Sequence, residues 1–218
     1  MQSYVVHFIR HAMTEANKSG QFAGSWDVPL CDEGKENLKN LKKHFEYPFA
    51  KEYYSSPMKR CIETCEIIYP EAKIQVVDDL RECAFGEWEK KTSDEIGISD
   101  KNLNPDKGES WQDLHRRVTA AFEKIVESMM RRGVTSAVIV THGGVIMTLL
   151  AQYGFPRAEL FEWMVYNGCG YSVRITPGLW MREKVFEVYD KVPRGADVTL
   201  SGKFKDLIDN LKEKENEK

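Results

Sequence analysis

Two histidines, two arginines and one glutamate stand where chemistry is expected, each soon after a short run of strand-forming residues. Arg10 and His11 follow YVVHFI, Arg60 follows EYYSS and Pro57-Met58-Lys59, Glu82 follows IQVVD, and His142 follows SAVIVT and precedes Gly143-Gly144. In an open parallel sheet, ligands bind beyond the carboxyl ends of the strands, so these positions can face one crevice. A lone histidine after a buried strand is more often a hydrogen-bonded structural residue; two of them at two strand ends can converge. The planar forks of Arg10 and Arg60 suit phosphate oxygens. The set describes phosphoryl transfer: cations neutralise the oxygens, one imidazole attacks phosphorus, and the carboxylate protonates the departing oxygen. Gly143 opens a helix, where backbone N–H groups favour an anion.

The elements that must position these residues are readable from periodicity. Strands are expected over 4–9, 52–56, 74–78 and 136–141, separated by a helix over 32–45 and another that starts at Pro57 and runs to about Tyr69. Residues 80–110 read as a long loop with at most a short helix near 92–97. Ser110 and Asp113 form a capping box for a helix whose apolar stripe runs through Trp111, Leu114, Val118, Phe122, Val126 and Met129. A further helix begins at Gly143. Residues 170–176 and 184–190 alternate as adjacent late strands, antiparallel if joined tightly through Pro177-Gly178. Strands alternating with crossover helices predict an α/β fold with a largely parallel sheet. The tail carries Phe204, Leu207, Ile208 and Leu211 on one face, as in an amphipathic helix docked on the body.

The other histidines read differently. His7 alternates within the first strand and is expected to pack, while His44 and His115 lie on helices as surface or satisfied polar residues. Trp88 and Trp111 stand near the mouth of such a site, and Trp111, as the first apolar residue of its stripe, is expected to pack.

With 218 residues, 42% hydrophobic and 11% aromatic, the chain can bury a sizeable core without disulfides or structural metal. Its net charge of −3 is a poor match to non-specific nucleic-acid binding, so an anion site has to be local. The five cysteines are odd in number and contain no C-x-x-C pair, which argues against a disulfide framework or a zinc site. No apolar run approaches the ~20 residues that span a bilayer, and the opening lacks signal-peptide character, so a cytoplasmic location is expected.

Four ordered motifs carry a resemblance. R-H-G-x-T-x-x-N is met by Arg10, His11, Thr14 and Asn17; S-P-x-x-R-x-x-x-T by Ser56, Pro57, Arg60 and Thr64; L-R-E-x-x-F-G-x-W-E by Leu80, Arg81, Glu82, Phe85, Gly86, Trp88 and Glu89; and T-H-G-G by Thr141 to Gly144. Over about residues 4–176 the chain resembles the histidine phosphatase superfamily, in its phosphoglycerate-mutase-like branch, including small phosphatases such as alpha-ribazole phosphatase. The resemblance implies a three-layer α/β/α sandwich with a mostly parallel sheet. The strand order and the interval between Glu82 and His142 favour a single domain over 1–218, with the amphipathic tail as a C-terminal helix at about 200–213. The resemblance also implies that His11 becomes the phosphohistidine, that Arg10, Arg60 and His142 grip the phosphoryl oxygens with Asn17 in support, and that Gly143 lends a backbone N–H. Glu82 would be the proton donor and then the base for water. No cofactor or metal is implied. The expected partner is a small phosphorylated metabolite, with no nucleic acid or membrane and room for a homodimer.

Two departures stand out. Ala12 replaces the usual Gly, which adds strain if that position needs a positive φ, and Met13 replaces a residue that is commonly Glu. The stretch between Glu82 and His142 holds one loop and one helix, the latter bearing Arg116-Arg117, rather than the long basic insertion of the mutases. A phosphatase is therefore the expected activity, ahead of a cofactor-dependent phosphoglycerate mutase and of a non-catalytic phospho-ligand binding protein. Retention of His11 and Glu82 argues against the last.

Overall fold

A computed structural model describes residues 2–97 and 105–196. The expected helix at about 200–213 lies outside them. The chain runs β1 (Tyr4–Arg10), α1 (Glu15–Lys18), α2 (Asp32–His44), β2 (Glu52–Ser55), α3 (Lys59–Ile68), β3 (Ile74–Val76), α4 (Ser93–Ile96), α5 (Trp111–Arg132), β4 (Ser136–Thr141), α6 (Gly143–Tyr153), β5 (Gly154–Phe155), β6 (Gly170–Ile175), α7 (Pro177–Glu183) and β7 (Phe186–Val192). One seven-stranded sheet has the order β3-β2-β4-β1-β6-β7-β5. The pairs β3/β2, β2/β4, β4/β1 and β5/β7 are parallel, and β1/β6 and β6/β7 are antiparallel.

Period-two alternation explains the three layers. Val6 and Phe8 of β1, with Ala137 and Ile139 of β4, face a core filled by Val118, Phe122 and Val126 of α5, Ile146 and Leu150 of α6, and Trp180 of α7. Ile9, Val138 and Val140 point the other way, onto Leu38 of α2 and Cys61, Cys65 and Ile68 of α3. A sheet apolar on both faces has to be covered on both, and parallel crossovers supply the helices.

The helix ends show where local chemistry acts. Ser110 accepts the Asp113 N–H at 3.1 Å and donates to its carboxylate, and α5 closes at Gly133 with φ of 68°. The helix expected from Pro57 starts two residues later, at Lys59. Its cap comes from elsewhere in the chain: the Asp27 carboxylate accepts the Lys59 N–H at 2.7 Å. The late strands are antiparallel neighbours, yet a helix, α7, replaces the tight turn between them. Pro177 suits its first position, and burying Trp180 against Phe122 and Tyr153 holds it down.

Gly170 fixes how closely β6 can lie on β1. A Cβ there would sit 1.7 Å from the Phe8 carbonyl oxygen and 2.7 Å from its carbon, both of them backbone that cannot swing aside. Gly170→Ala is expected to destabilise the protein by more than ~3 kcal/mol, read as a lowered urea midpoint.

Candidate functional site

The carboxyl ends of the four neighbouring parallel strands β3, β2, β4 and β1 lie at one end of the sheet. Their pairing continues one residue past the strands: His11 N–H reaches Thr141 O at 2.9 Å, and Ser56 N–H reaches Val140 O at 3.0 Å. His11 and His142 are thereby brought side by side, with ring centroids 5.3 Å apart.

His11 is buried, and its Nδ1 lies 2.7 Å from the Ala12 carbonyl. A carbonyl only accepts, so Nδ1 carries the proton and Nε2 keeps a lone pair. Burial first, then the guanidiniums of Arg60 and Arg10, hold the imidazole well below its ordinary pKa. It is neutral at pH 7 and already in the nucleophilic tautomer. Ala12 has no left-handed backbone; among non-glycines only Lys90, Lys107 and Lys184 do, within the described residues. The strain considered for this position is absent, and the methyl group is simply buried. The Ala12 N–H donates to Thr64 Oγ1, which in turn donates to the Arg60 carbonyl, so the loop after β1 is tied to α3.

Arg60 is 1% exposed. It donates Nε–H to His142 Nδ1 at 3.3 Å and its terminal nitrogens to the carbonyls of Trp26 and Gly24. Arg10 donates to the Val165 carbonyl at 2.7 Å, while its buried Nε has no partner. Neither guanidinium has a carboxylate within ion-pair distance among the described residues. Two largely buried cations without a counter-ion make a site for an anion.

His142 is fully buried, and burial followed by Arg60, His11 and Arg10 holds it neutral as well. Since Arg60 Nε–H only donates, His142 Nδ1 accepts, which leaves the proton on Nε2, 2.8 Å from Ser56 Oγ. A phosphoryl oxygen gripped by His142 would share that proton with Ser56.

Glu82 is partly buried. Its Oε2 accepts the Gly144 N–H at 3.1 Å and its Oε1 the N–H of Cys83. A Cβ on Gly144 would stand 2.4 Å from Oε1, so glycine is what admits the carboxylate to the start of α6. The N–H of α6 that is used here is thus Gly144's, whereas Gly143 stacks its backbone near the Arg10 guanidinium, an added Cβ falling 3.5 Å from Nε. Asn17 commits its Oδ1 to Thr14 N–H, Thr14 Oγ1 and Asn167 Nδ2, so what it can offer an anion is its amide N–H2.

Sequence reasoning missed three supports. Asn167 bonds both the His11 carbonyl and Asn17, Thr64 joins Ala12 to Arg60, and Arg117 bonds the backbone around Glu82. Asn167 stands in an Asn-Gly pair and Thr64 in a quoted motif, which are the signals that could have singled them out. The remaining histidines behave as expected: His7 bonds Ser172 in the sheet, His44 is exposed and His115 meets Gln152 at the surface. Trp88 is buried, and Trp111 packs on the core with its ring edge-on to Phe85. Among the described residues no cluster of three His, Cys, Asp or Glu side chains could hold a metal, and no helix is long and apolar enough to cross a membrane.

Comparison with known proteins places this geometry. The model of the histidine phosphatase superfamily (branch 1) matches residues 6–187. A protein of Schizosaccharomyces pombe named as a probable phosphatase is 33% identical over 161 residues, covering 72% of this chain and 77% of that one. A 2,3-bisphosphoglycerate-dependent phosphoglycerate mutase of Rhizobium etli is 27% identical over 164 residues, 65% of this chain and 76% of that one. The crystal structure of the alpha-ribazole phosphatase of Shigella flexneri shares the fold, with a TM-score of 0.69 at 22% identity over 91% of this chain and all of the other.

Proposed function

The chain belongs to the histidine phosphatase superfamily, branch 1, and on that premise we propose that it hydrolyses the monoester of a small phosphorylated metabolite through a phosphohistidine. The observation that carries the reading is the neutral His11 imidazole, its proton fixed on Nδ1, beside two guanidiniums that lack a carboxylate partner. Arg10 and Arg60 hold the phosphoryl oxygens, with His142, the Asn17 amide and the Gly143 N–H around them. His11 Nε2 attacks phosphorus, the P–O ester bond breaks, and the Glu82 carboxyl gives its proton to the departing oxygen. The Ala12 carbonyl then steadies the N–H of the phosphorylated ring. In the second step the Glu82 carboxylate takes a proton from water, the water oxygen bonds to phosphorus, and the N–P bond breaks to return the lone pair to Nε2.

Water as the acceptor, rather than a second anionic sugar acid, is supported by the paired basics of α5. Arg116 meets Asp113, and Arg117 spends all five of its N–H groups inside the protein. The five buried thiols suit a reducing compartment such as the cytoplasm. The test is a panel of phosphomonoesters, together with 3-phosphoglycerate given a bisphosphoglycerate primer. Release of inorganic phosphate is expected to outrun isomer exchange; the reverse order would make the protein a mutase, and no turnover of any ester a binding module.

A further inference from the structure

Glu82 is poorly held by its own segment. It follows a 3-10 turn at Asp78–Leu80 and precedes another at Gly86–Trp88, so neither strand nor helix fixes its backbone. Side chains from elsewhere hold that backbone: Thr141 Oγ1 donates to the Leu80 carbonyl at 2.8 Å, and Arg117 takes the carbonyls on either side. Arg117, in the second turn of α5, donates to the carbonyls of Asp79 and Arg81 at 2.8 Å each and to that of Glu82 at 3.0 Å. Its remaining two N–H groups form a fork on Glu109, Nε to Oε1 at 2.7 Å and the second terminal nitrogen to Oε2 at 2.6 Å. Both side chains of this pair are mostly buried. Glu109 adds its own ties to the loop, its N–H donating to the Ala84 carbonyl at 2.7 Å and its carboxylate accepting the Ala84 N–H.

We propose that Arg117, oriented by Glu109, is a positioning residue that sets the Glu82 carboxyl against the departing oxygen. The proposal rests on the reading of Glu82 as general acid. Arg117 has no N–H left for substrate, so its hydrogen bonds act through the segment that carries Glu82, and a guanidinium is required because five donors in one plane must reach three carbonyls and a carboxylate. Small misplacement of a catalytic group costs up to ~10²-fold, and the cost falls on the step that needs the group.

The experiment compares an aryl ester with a good leaving group, p-nitrophenyl phosphate, with an alkyl ester, glycerol phosphate, which needs the proton. The quantity compared is kcat/KM, which reads only as far as loss of the leaving group and leaves out the water step common to both esters. For Glu82→Gln the loss in kcat/KM should be far greater on the alkyl ester. Arg117→Met is expected to lower kcat/KM on the alkyl ester by ~10²-fold and on the aryl ester by less than ~5-fold, with KM raised by no more than about 2-fold on either. In the Glu82→Gln background Arg117→Met should add less than about 2-fold, because coupled residues are not additive. Glu109→Gln, which keeps every side-chain length, should show the same preference with a smaller loss and serves if Arg117→Met does not fold. Equal losses on both esters, a raised KM, or full additivity with Glu82→Gln would overturn the proposal. If Glu82→Gln itself shows no preference between the esters, the general-acid reading falls and the positioning role with it; if only the Arg117 and Glu109 variants show none, that role alone falls.

Discussion

His11→Ala is expected to lower turnover of every phosphomonoester by roughly 10⁴-fold or more while leaving inorganic phosphate bound within about 3-fold of the native affinity. The two halves of this result come from different parts of the site. Nε2 of His11 carries the lone pair aimed at phosphorus, whereas His142 has its Nδ1 engaged by Arg60 and its Nε2 by Ser56. The proposed anion holders are chiefly Arg10 and Arg60, whose bonds to Val165, Gly24 and Trp26 do not involve the His11 ring. The check is protein-bound phosphate from a labelled ester, quenched in alkali and tested for acid lability. It should be present in the native protein and absent from His11→Ala. Persistence of such phosphate in the variant would move the acceptor to another side chain.

Acid should begin to destabilise this protein before its carboxylates are protonated. His7, His11 and His142 are all buried, and burial is the first cause that lowers each: His7 to about 4, the other two well below the ordinary value. The unfolded chain takes up these protons near pH 6.5 and the folded one does not, so the folded state has the depressed pKa values. Stability is therefore complete above pH ~6.5 and falls as pH drops below it, with His7 losing its share down to pH ~4. Each histidine contributes a slope of up to ~1.4 kcal/mol per pH unit, and three together ~4, against typical stabilities of 5–15 kcal/mol. Carboxylates held low by a partner, such as Glu52 by Arg132, give up their contribution only below their own range and stay out of this window. Urea unfolding between pH 7 and 5 measures the slope. His11→Ala should flatten it by about one third, and a midpoint that stays level down to pH 5 would contradict the buried neutral imidazoles.

The strands and the residues at their ends were legible because β-branched, apolar runs are local signals, and β1, β2, β3 and β4 fall within two residues of their expected limits. The same locality placed His11 and His142 at strand ends, where the parallel order of β1 and β4 brings them together; Glu82, expected directly after its strand, lies beyond a 3-10 turn that follows β3 and reaches the site through the Gly144 N–H. What was not legible depends on partners far along the chain. Nothing near Lys59 announces that Asp27 caps its helix, and nothing near Pro177 shows that Trp180 is wanted by a core built from α5 and α6. Arg117 reads as half of a surface basic pair until the carbonyls of Asp79, Arg81 and Glu82, more than thirty residues away, are seen to converge on it. The Ala12 question needed a backbone angle, which no residue type encodes.

The bare pair of guanidiniums at Arg10 and Arg60 has a kinetic consequence. With Arg10 and Arg60 in the proposed role, the forks that take the phosphoryl group of an ester also take free orthophosphate, since both present the same kind of oxygens and nothing in the pair reads the organic half of the substrate. Competitive product inhibition is the expected outcome. Progress curves bend as orthophosphate accumulates, and the rate the enzyme sustains is governed by the ambient ratio of ester to orthophosphate.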